Sequence, residues 1–529
     1  MSTTPPSGEP ELLELGHRPQ RKPRRGLVVG IVAGLVLALG LPLGAFALLR
    51  LFGGGGTQPH DVLPANAVGY LRFDLDPSAP QKVDAIRFLR TFPAFEKYTR
   101  ITDDRADVRE VIVDAMLEGA PCDLTFERDV APWLGERFGV AMTPPTANDD
   151  REPNVVAAVQ VGDEQAARQG LERLRSCDPA AGDTGGWAYL DGYMILAETR
   201  QQAAGFAQAA ERTPLADNEQ FRSDMERLGE QGVASLWFSG EGLHQVFSST
   251  VMGDPGPAGS EFDLLRDDLR RQIEQSYRSG AVAFRFDDRY VELATVLSGD
   301  GYREPTGDGV ADMALPETTA VAVGLANAGE YVDQQWDTLL QMSGAPERFL
   351  ERQLGLELPA DLQSLVGERF TLALDGAGLD FGALARSGDP ALLDLGARAT
   401  TDPAAFTRVV QKLEATLARQ GLPIDLVVQP ADGGAVVALN KEYAGQLAET
   451  GSLADTDVFT TAVPDADEAQ SVFFVSFDRL EGPVLDMVPP MGAEGRELTD
   501  NVTRLEALGI SSSNHDGYAT GSLRLTVGE

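Results

Sequence analysis

Four histidines and two cysteines are the side chains in this 529-residue chain whose types best suit chemistry. His17 lies in a polar tail and His60 in a Gly-rich tether, which leaves His244, in EGLHQVF, and His515, in SSNHDGY, to sit in a folded unit. A turn histidine beside Asp516 is ordinarily an exposed polar residue. No G-x-S-x-G, H-E-x-x-H, P-loop or G-x-G-x-x-G occurs, so the common local signatures of catalysis and nucleotide binding are missing. Carboxylate pairs that cleave glycosides are defined by their separation in space, and 81 acidic residues give no basis for choosing two. Doublets such as Asp103-Asp104, Asp149-Asp150, Asp267-Asp268 and Asp287-Asp288 do not form the alternating loop that wraps calcium. No catalytic, cofactor-binding or metal-ligating residue is assigned, and no cofactor is expected. Cys122 and Cys177 have no C-x-x-C spacing and no nearby histidine, so a disulfide is the expected pairing in an oxidising compartment, with two buried thiols as the alternative.

The elements around these residues begin with Gly26–Leu49, an uncharged apolar run of 24 positions. As a helix it reaches roughly 36 Å, enough to cross a hydrocarbon core of about 30 Å. Arg18, Arg21, Lys22, Arg24 and Arg25 precede it, which predicts a cytoplasmic amino terminus and a large extracytoplasmic part. Ala45-Phe46-Ala47 admits a cleaved signal peptide as the rival, but the run is longer than the usual apolar core of a signal. The expected organisation is a disordered cytoplasmic tail over 1–25, a transmembrane helix over 26–49, a tether over 50–60, a first repeat over 61–299, a linker over 300–312 and a second repeat over 313–529. The net charge is −37; residues 1–50 hold six basic and three acidic groups, so the remainder carries −40. That charge argues against nucleic acid and anionic headgroups as partners. The expected partners are the bilayer, through residues 26–49, and an envelope protein, polymer or lipid ligand.

Two repeats are legible in matched motifs. Leu63-Pro64 recurs as Leu315-Pro316, Gly135-Glu136-Arg137-Phe138 as Gly367-Glu368-Arg369-Phe370, Leu215-Ala216-Asp217 as Leu453-Ala454-Asp455, and Asp288-x-Tyr290 as Asp516-x-Tyr518, always in the same order. Strands are predicted at Val155–Val161, Ala234–Phe238 and Val472–Phe477, with helices carrying Ala167, Leu171 and Leu174, and Phe406, Val410, Leu413 and Leu417. Pro/Gly loops then precede helices bearing Leu265, Leu269 and Ile273, and Leu498, Val502 and Leu505. Final hairpins turn at Asp287–Arg289 and Asn514–Gly517. The fold class is α+β: one amino-terminal transmembrane helix and two tandem repeats of a mainly antiparallel sheet with packed helices. In the GERF strands Phe138 and Phe370 are expected in the core with Arg137 and Arg369 outward. Asp217 and Asp455 are expected to cap the helices that follow.

The stretch DVLPANAVGYLRFDLDPSAPQKVDAIRFLRTFPAF at Asp61–Phe95, with APWLGERF at Ala131–Phe138, resembles the domain of unknown function 3352 family. The resemblance implies a membrane-anchored bacterial envelope protein and brings no activity, substrate or catalytic residue. The expected function is a non-catalytic envelope binding or interaction module. The alternative is a carrier of a lipid or other apolar ligand, with Trp237-Phe238 and Phe473-Phe474 as candidate lining or core, and a hydrolase without a recognisable motif comes third.

Overall fold

The computed structural model describes residues 57–74, 79–95, 109–110, 113, 124–145, 153–177, 185–242, 277–299, 311–422, 424–485 and 499–528. The first half supplies strands β1 (Gly69–Asp74), β2 (Leu134–Thr143), β3 (Asn154–Val161), β4 (Gly186–Leu190), β5 (Tyr193–Ala197), β6 (Ala234–Ser239), β7 (Ser279–Phe286) and β8 (Tyr290–Ser298). The second supplies β9 (Thr319–Ala326), β10 (Arg369–Asp375), β11 (Leu395–Thr400), β12 (Val427–Ala431), β13 (Gly434–Ala438), β14 (Ser471–Ser476), β15 (Leu505–His515) and β16 (Tyr518–Val527). All sixteen form one sheet in the order β12-β13-β11-β10-β9-β14-β15-β16-β8-β7-β6-β1-β2-β3-β5-β4, which reads as the same eight-strand order twice, head against head.

This corrects the expected fold of one transmembrane helix and two tandem repeats of a mainly antiparallel sheet: the described strands form one sheet. The halves share a sheet because β8 and β16, the last strand of each, pair antiparallel over nine residues. Left apart, each would present a row of unpaired N–H and C=O groups, so edge-to-edge joining satisfies both at once. The join has the form of a two-fold interface. Asp288 and Asp516 differ by 228 positions, which makes Ser522 the counterpart of Ala294, and these two residues are register partners. Tyr290 faces Thr526 while Ser298 faces Tyr518, so counterparts exchange places as they do across a symmetric dimer contact.

Helices cover both faces. The first face carries Tyr70, Trp237 and Ala283 in one half and Ala322, Phe474 and Ala507 in the other. Helices Arg200–Arg212 and Glu219–Leu228 cover it in the first half, and Lys441–Ala448 and Asp457–Ala462 in the second, through Ala207, Phe221, Tyr443 and Phe459. The second face is covered at its wings. Ala167 and Leu171 of Glu164–Cys177 pack on Val159 and Met194, and Phe406 and Val410 of Pro403–Arg419 pack on Ala399 and Ala435. Helix Ala79–Arg90 covers Phe73 and Phe286 near the middle.

Coverage on both faces explains several departures from expectation. Arg137 does not point to solvent: it is 6% exposed and donates from Nε to Asp74 Oδ2 at 3.2 Å, and only Arg369 is half-exposed. The caps fall one residue later than predicted: the side chains of Asn218 and Thr456 accept from Phe221 N and Phe459 N, while Asp217 and Asp455 close the preceding turns. Asp516 and Gly517 turn the last hairpin with positive φ (53° and 77°), as a two-residue turn requires.

The membrane anchor and the disulfide also need correction. Among the described residues no helix is long and apolar enough to cross a membrane. The longest, Pro403–Arg419, has 17 residues and carries Arg408, Lys412 and Glu414; it spans about 26 Å and has a charged side. The single-pass anchor and the cell-membrane location that depended on it are therefore not supported, and the run Gly26–Leu49 lies outside the described residues. No disulfide is formed among the described residues; Cys177 ends the helix Glu164–Cys177, and Cys122 lies outside them, as do His244 and the predicted helix with Leu265.

Candidate functional site

Two surfaces meet at the pseudo-two-fold axis, one on each side of the sheet. On the first face, between helix Glu219–Leu228 and the turn Pro464–Glu468, lies a polar cleft of about 300 Å³ floored by Glu292, Ala294, Ser511, Ser522 and Arg524. Glu292 is 5% exposed and binds Arg524 Nε at 3.0 Å, Arg285 Nη1 at 3.2 Å and the Ser522 hydroxyl at 2.7 Å. Burial opposes its charge, but Ser522 and the two guanidinium groups together hold its carboxyl below the usual range. The arginines are fully engaged elsewhere too: Arg285 donates to Leu228 O and Glu230 O, and Arg524 to Thr461 O. Ser511 donates to Pro464 O and Ser513 to Glu468 O. Of these bonds, those of Glu292 to Arg524 and Ser522 join the halves, and the others stay within one half. His515 lines its mouth at the exposed tip of the β15–β16 hairpin, and among the described residues no hydroxyl donates to it.

The second face is different in kind. Followed in register across the strands, Leu293 (β8), Leu523 (β16), Ile510 (β15), Phe473 (β14), Val323 (β9) and Leu372 (β10) form one unbroken line. Directly opposite residues of antiparallel strands share a face, so all six project to the same side. Leu293 and Leu372 are 38% and 40% exposed, the others half-buried. A second line lies two residues along: Leu525, Leu508, Val475, Val321 and Leu374, again adjacent in register. None of the first six belongs to a core cluster among the described residues. The opening exists because the halves differ. Helix Ala79–Arg90, which follows β1, folds onto the sheet, whereas Ala328–Met342, which follows β9, lies against Ala360–Val366 and is tied there by Gln363 Nε2 to Asp333 Oδ1 at 2.9 Å.

Residues 31–185 match the family described as Protein of unknown function (DUF3352). That segment of the chain is similar to this family. No curated protein and no solved structure matches. The DUF3352 segment contains β1 to β3 and the helix Glu164–Cys177, and it ends just before β4. It holds the buried cluster in which Arg72 Nη2 and Arg137 Nε both donate to Asp74 Oδ2, at 2.5 and 3.2 Å. The apolar bay lies beyond the segment, in β8 to β10 and β14 to β16.

Among residues singled out by sequence, Trp237 and Phe474 belong to the first-face core, while their neighbours Phe238 and Phe473 are half-buried on the second face. Trp237 Nε1 donates to Asp224 Oδ2 at 2.8 Å, and Asp224 is completely buried. The bay itself was missed. The usable signal was apolar character at successive positions of Val472-Phe473-Phe474-Val475, the mark of a strand whose two faces both meet apolar surroundings.

His60 was assigned to the tether, but it packs against Phe221 and Tyr70, with ring centroids 5.3 and 6.0 Å away. Burial lowers its pKa below 6.5, outweighing Asp61, and Arg72 lowers it further. The unfolded chain therefore takes up the proton first, so stability is complete above pH 6.5 and declines as pH falls toward the folded value. His60→Phe is expected to flatten the urea midpoint between about pH 7 and pH 5. An unchanged slope would locate the titration elsewhere.

Proposed function

We propose that this protein is a non-catalytic binding module whose working surface is the apolar bay on the second face of the central strands. The single observation that supports the reading is the in-register line from Leu293 to Leu372, large apolar side chains left outside every described core cluster. Apolar area left in water is unfavourable by roughly 25 cal/mol per Å², so an occupant that covers it gains that stabilisation. The largest contiguous apolar patch on a folded protein's surface is often functional. The dyad cleft supports the same choice from the other side, since its buried Glu292 is already paired with Arg285 and Arg524.

The test is titration of the native chain with an uncharged solvatochromic dye. The dye is expected to brighten saturably, and Phe473→Glu is expected to weaken binding about tenfold, because a carboxylate in the bay must be desolvated. Near-UV circular dichroism would verify that the variant keeps its tertiary packing. A native chain that leaves the dye dark would refute the reading.

A further inference from the structure

Resting on that reading of the bay, we infer that its occupant is the aliphatic chain of an uncharged single-chain amphiphile, with the polar head at the hydroxyl pair Ser471–Ser512. Size decides first. The line from β8 to β10 crosses five inter-strand spacings, about 24 Å at about 4.8 Å each, and two lines of side chains make it about 14 Å deep. That is on the order of 300 Å², well below the roughly 800 Å² per partner of a stable protein interface. A small ligand is covered by such a patch, whereas a protein partner is not held by it.

Charge decides next. At −37 the chain repels a second copy of itself, and it disfavours an anionic head. Chain shape follows from the lines themselves. Side chains on one face of a strand repeat every two residues, about 6.8 Å, so the two apolar lines bound a shallow valley running across the strands. A polymethylene chain laid along β14 and β15 crosses this valley, from Phe473 and Ile510 to Val475 and Leu508.

The head position comes from the next line of the same face. Two residues along from Leu293, Leu523, Ile510 and Phe473 stand Thr295, Gly521, Ser512 and Ser471, in register with one another. The apolar surface therefore ends in a strip of small and hydroxyl residues. Ser471 Oγ and Ser512 Oγ lie 2.6 Å apart. Two hydroxyls sharing one hydrogen bond retain a second proton to donate, and an ester or alcohol oxygen accepts it. Gly521 between Thr295 and Ser512 opens a notch, since a Cβ there would come within 2.8 Å of Thr295 Oγ1.

The experiment uses the full chain and 1-lauroylglycerol below its aggregation concentration, followed by isothermal titration calorimetry at several temperatures. Saturable binding with a negative heat-capacity change is expected, as apolar burial requires. Laurate, with the same chain and an anionic head, is expected to bind about tenfold more weakly. Ile510→Lys is expected to abolish binding. Ser471→Ala with Ser512→Ala is expected to weaken 1-lauroylglycerol several-fold and laurate less, a difference that a merely misfolded variant would not show. Leu422→Lys, which replaces an exposed leucine outside the bay, should bind as the native chain does. If the dye binds but 1-lauroylglycerol does not, the bay is a binding surface and the amphiphile assignment is wrong. If neither binds, both fall. Binding untouched by Ile510→Lys, or a mass doubled in solution by pairing of two bays, would also overturn the assignment.

Discussion

Asp74→Ala is expected to destabilise the protein by about 3–5 kcal/mol, the usual cost of removing one partner from a buried ionic cluster. Asp74 is 1% exposed, and its Oδ2 receives both Arg72 and Arg137, themselves 4% and 6% exposed. Neighbouring carbonyls help but do not neutralise: Arg72 also donates to Gly232 O and Arg137 to Thr57 O. Removing the carboxylate leaves two guanidinium charges facing each other away from water. The second half of the chain shows that the strand geometry does not depend on this cluster. Gly324 and Ala326 stand 252 positions after Arg72 and Asp74, and Met313 fills the space where a side chain at Gly324 would project, its sulfur 2.6 Å from that Cβ position. Replacing all three charges with apolar residues, as Arg72→Met, Asp74→Leu and Arg137→Met together, is therefore expected to return stability to within about 1 kcal/mol of the native chain. Urea denaturation at neutral pH separates the outcomes. A single variant as stable as the native protein would mean that the two arginines do not need this carboxylate.

The second large effect concerns the seam. A protease site engineered into the linker at 300–310, once cut, is expected to leave two fragments that elute together at the size of the intact chain. The reason is the β8–β16 ladder, running from Tyr290–Thr526 to Ser298–Tyr518, and the side chains that cross it. Glu292 binds Arg524 and Ser522 across the seam, Ser223 Oγ and Tyr518 Oη are 2.9 Å apart, and Arg227 stacks 4.3 Å from the Tyr518 ring. Cutting the linker returns only the chain entropy of one connection, a few kcal/mol that grows slowly with loop length. Glu292→Ala in the cut protein leaves Arg285 and Arg524 without their carboxylate, so the fragments should separate at lower urea than those carrying Glu292. Fragments that part in buffer alone would show that the linker, and not the shared sheet, holds the halves together.

The two effects fall on opposite parts of the molecule. The ionic cluster lies in the DUF3352 segment, at β1 and β2, whereas the seam and the bay lie outside it. A ligand assay on the Asp74 variants should therefore report folding, while an assay on Ile510 and Ser512 variants reports the bay.

Much of the fold was legible in the chain as written. Matched motifs exposed the duplication, apolar runs located β3, β6 and β14, and the Asp-Gly of the last hairpin marked a turn that needs positive φ. These are local signals: period, spacing and turn chemistry act over a few residues and survive without knowledge of neighbours. What failed were statements about which neighbour a residue meets. Arg137 was placed outward because alternation names two faces without saying that both are covered. His60 was left in a tether because nothing adjacent in sequence announces Phe221 and Tyr70. The apolar run at Gly26–Leu49 and the pair Cys122–Cys177 led to an anchor and a staple that the described structure does not support.

By itself, then, the sequence determined two copies of an antiparallel α+β unit and a strongly acidic surface. It also determined the absence of any local catalytic signature. Only the tertiary structure decided that the copies share one sixteen-stranded sheet, and that Ala294 faces its own counterpart Ser522. The same is true of the line from Leu293 to Leu372, whose six residues come from six strands spread over more than two hundred positions. The physical reason is the same in each case. A strand specifies its own two faces, but the partner at its edge is selected by long-range hydrogen bonding and burial, which no short window of sequence contains.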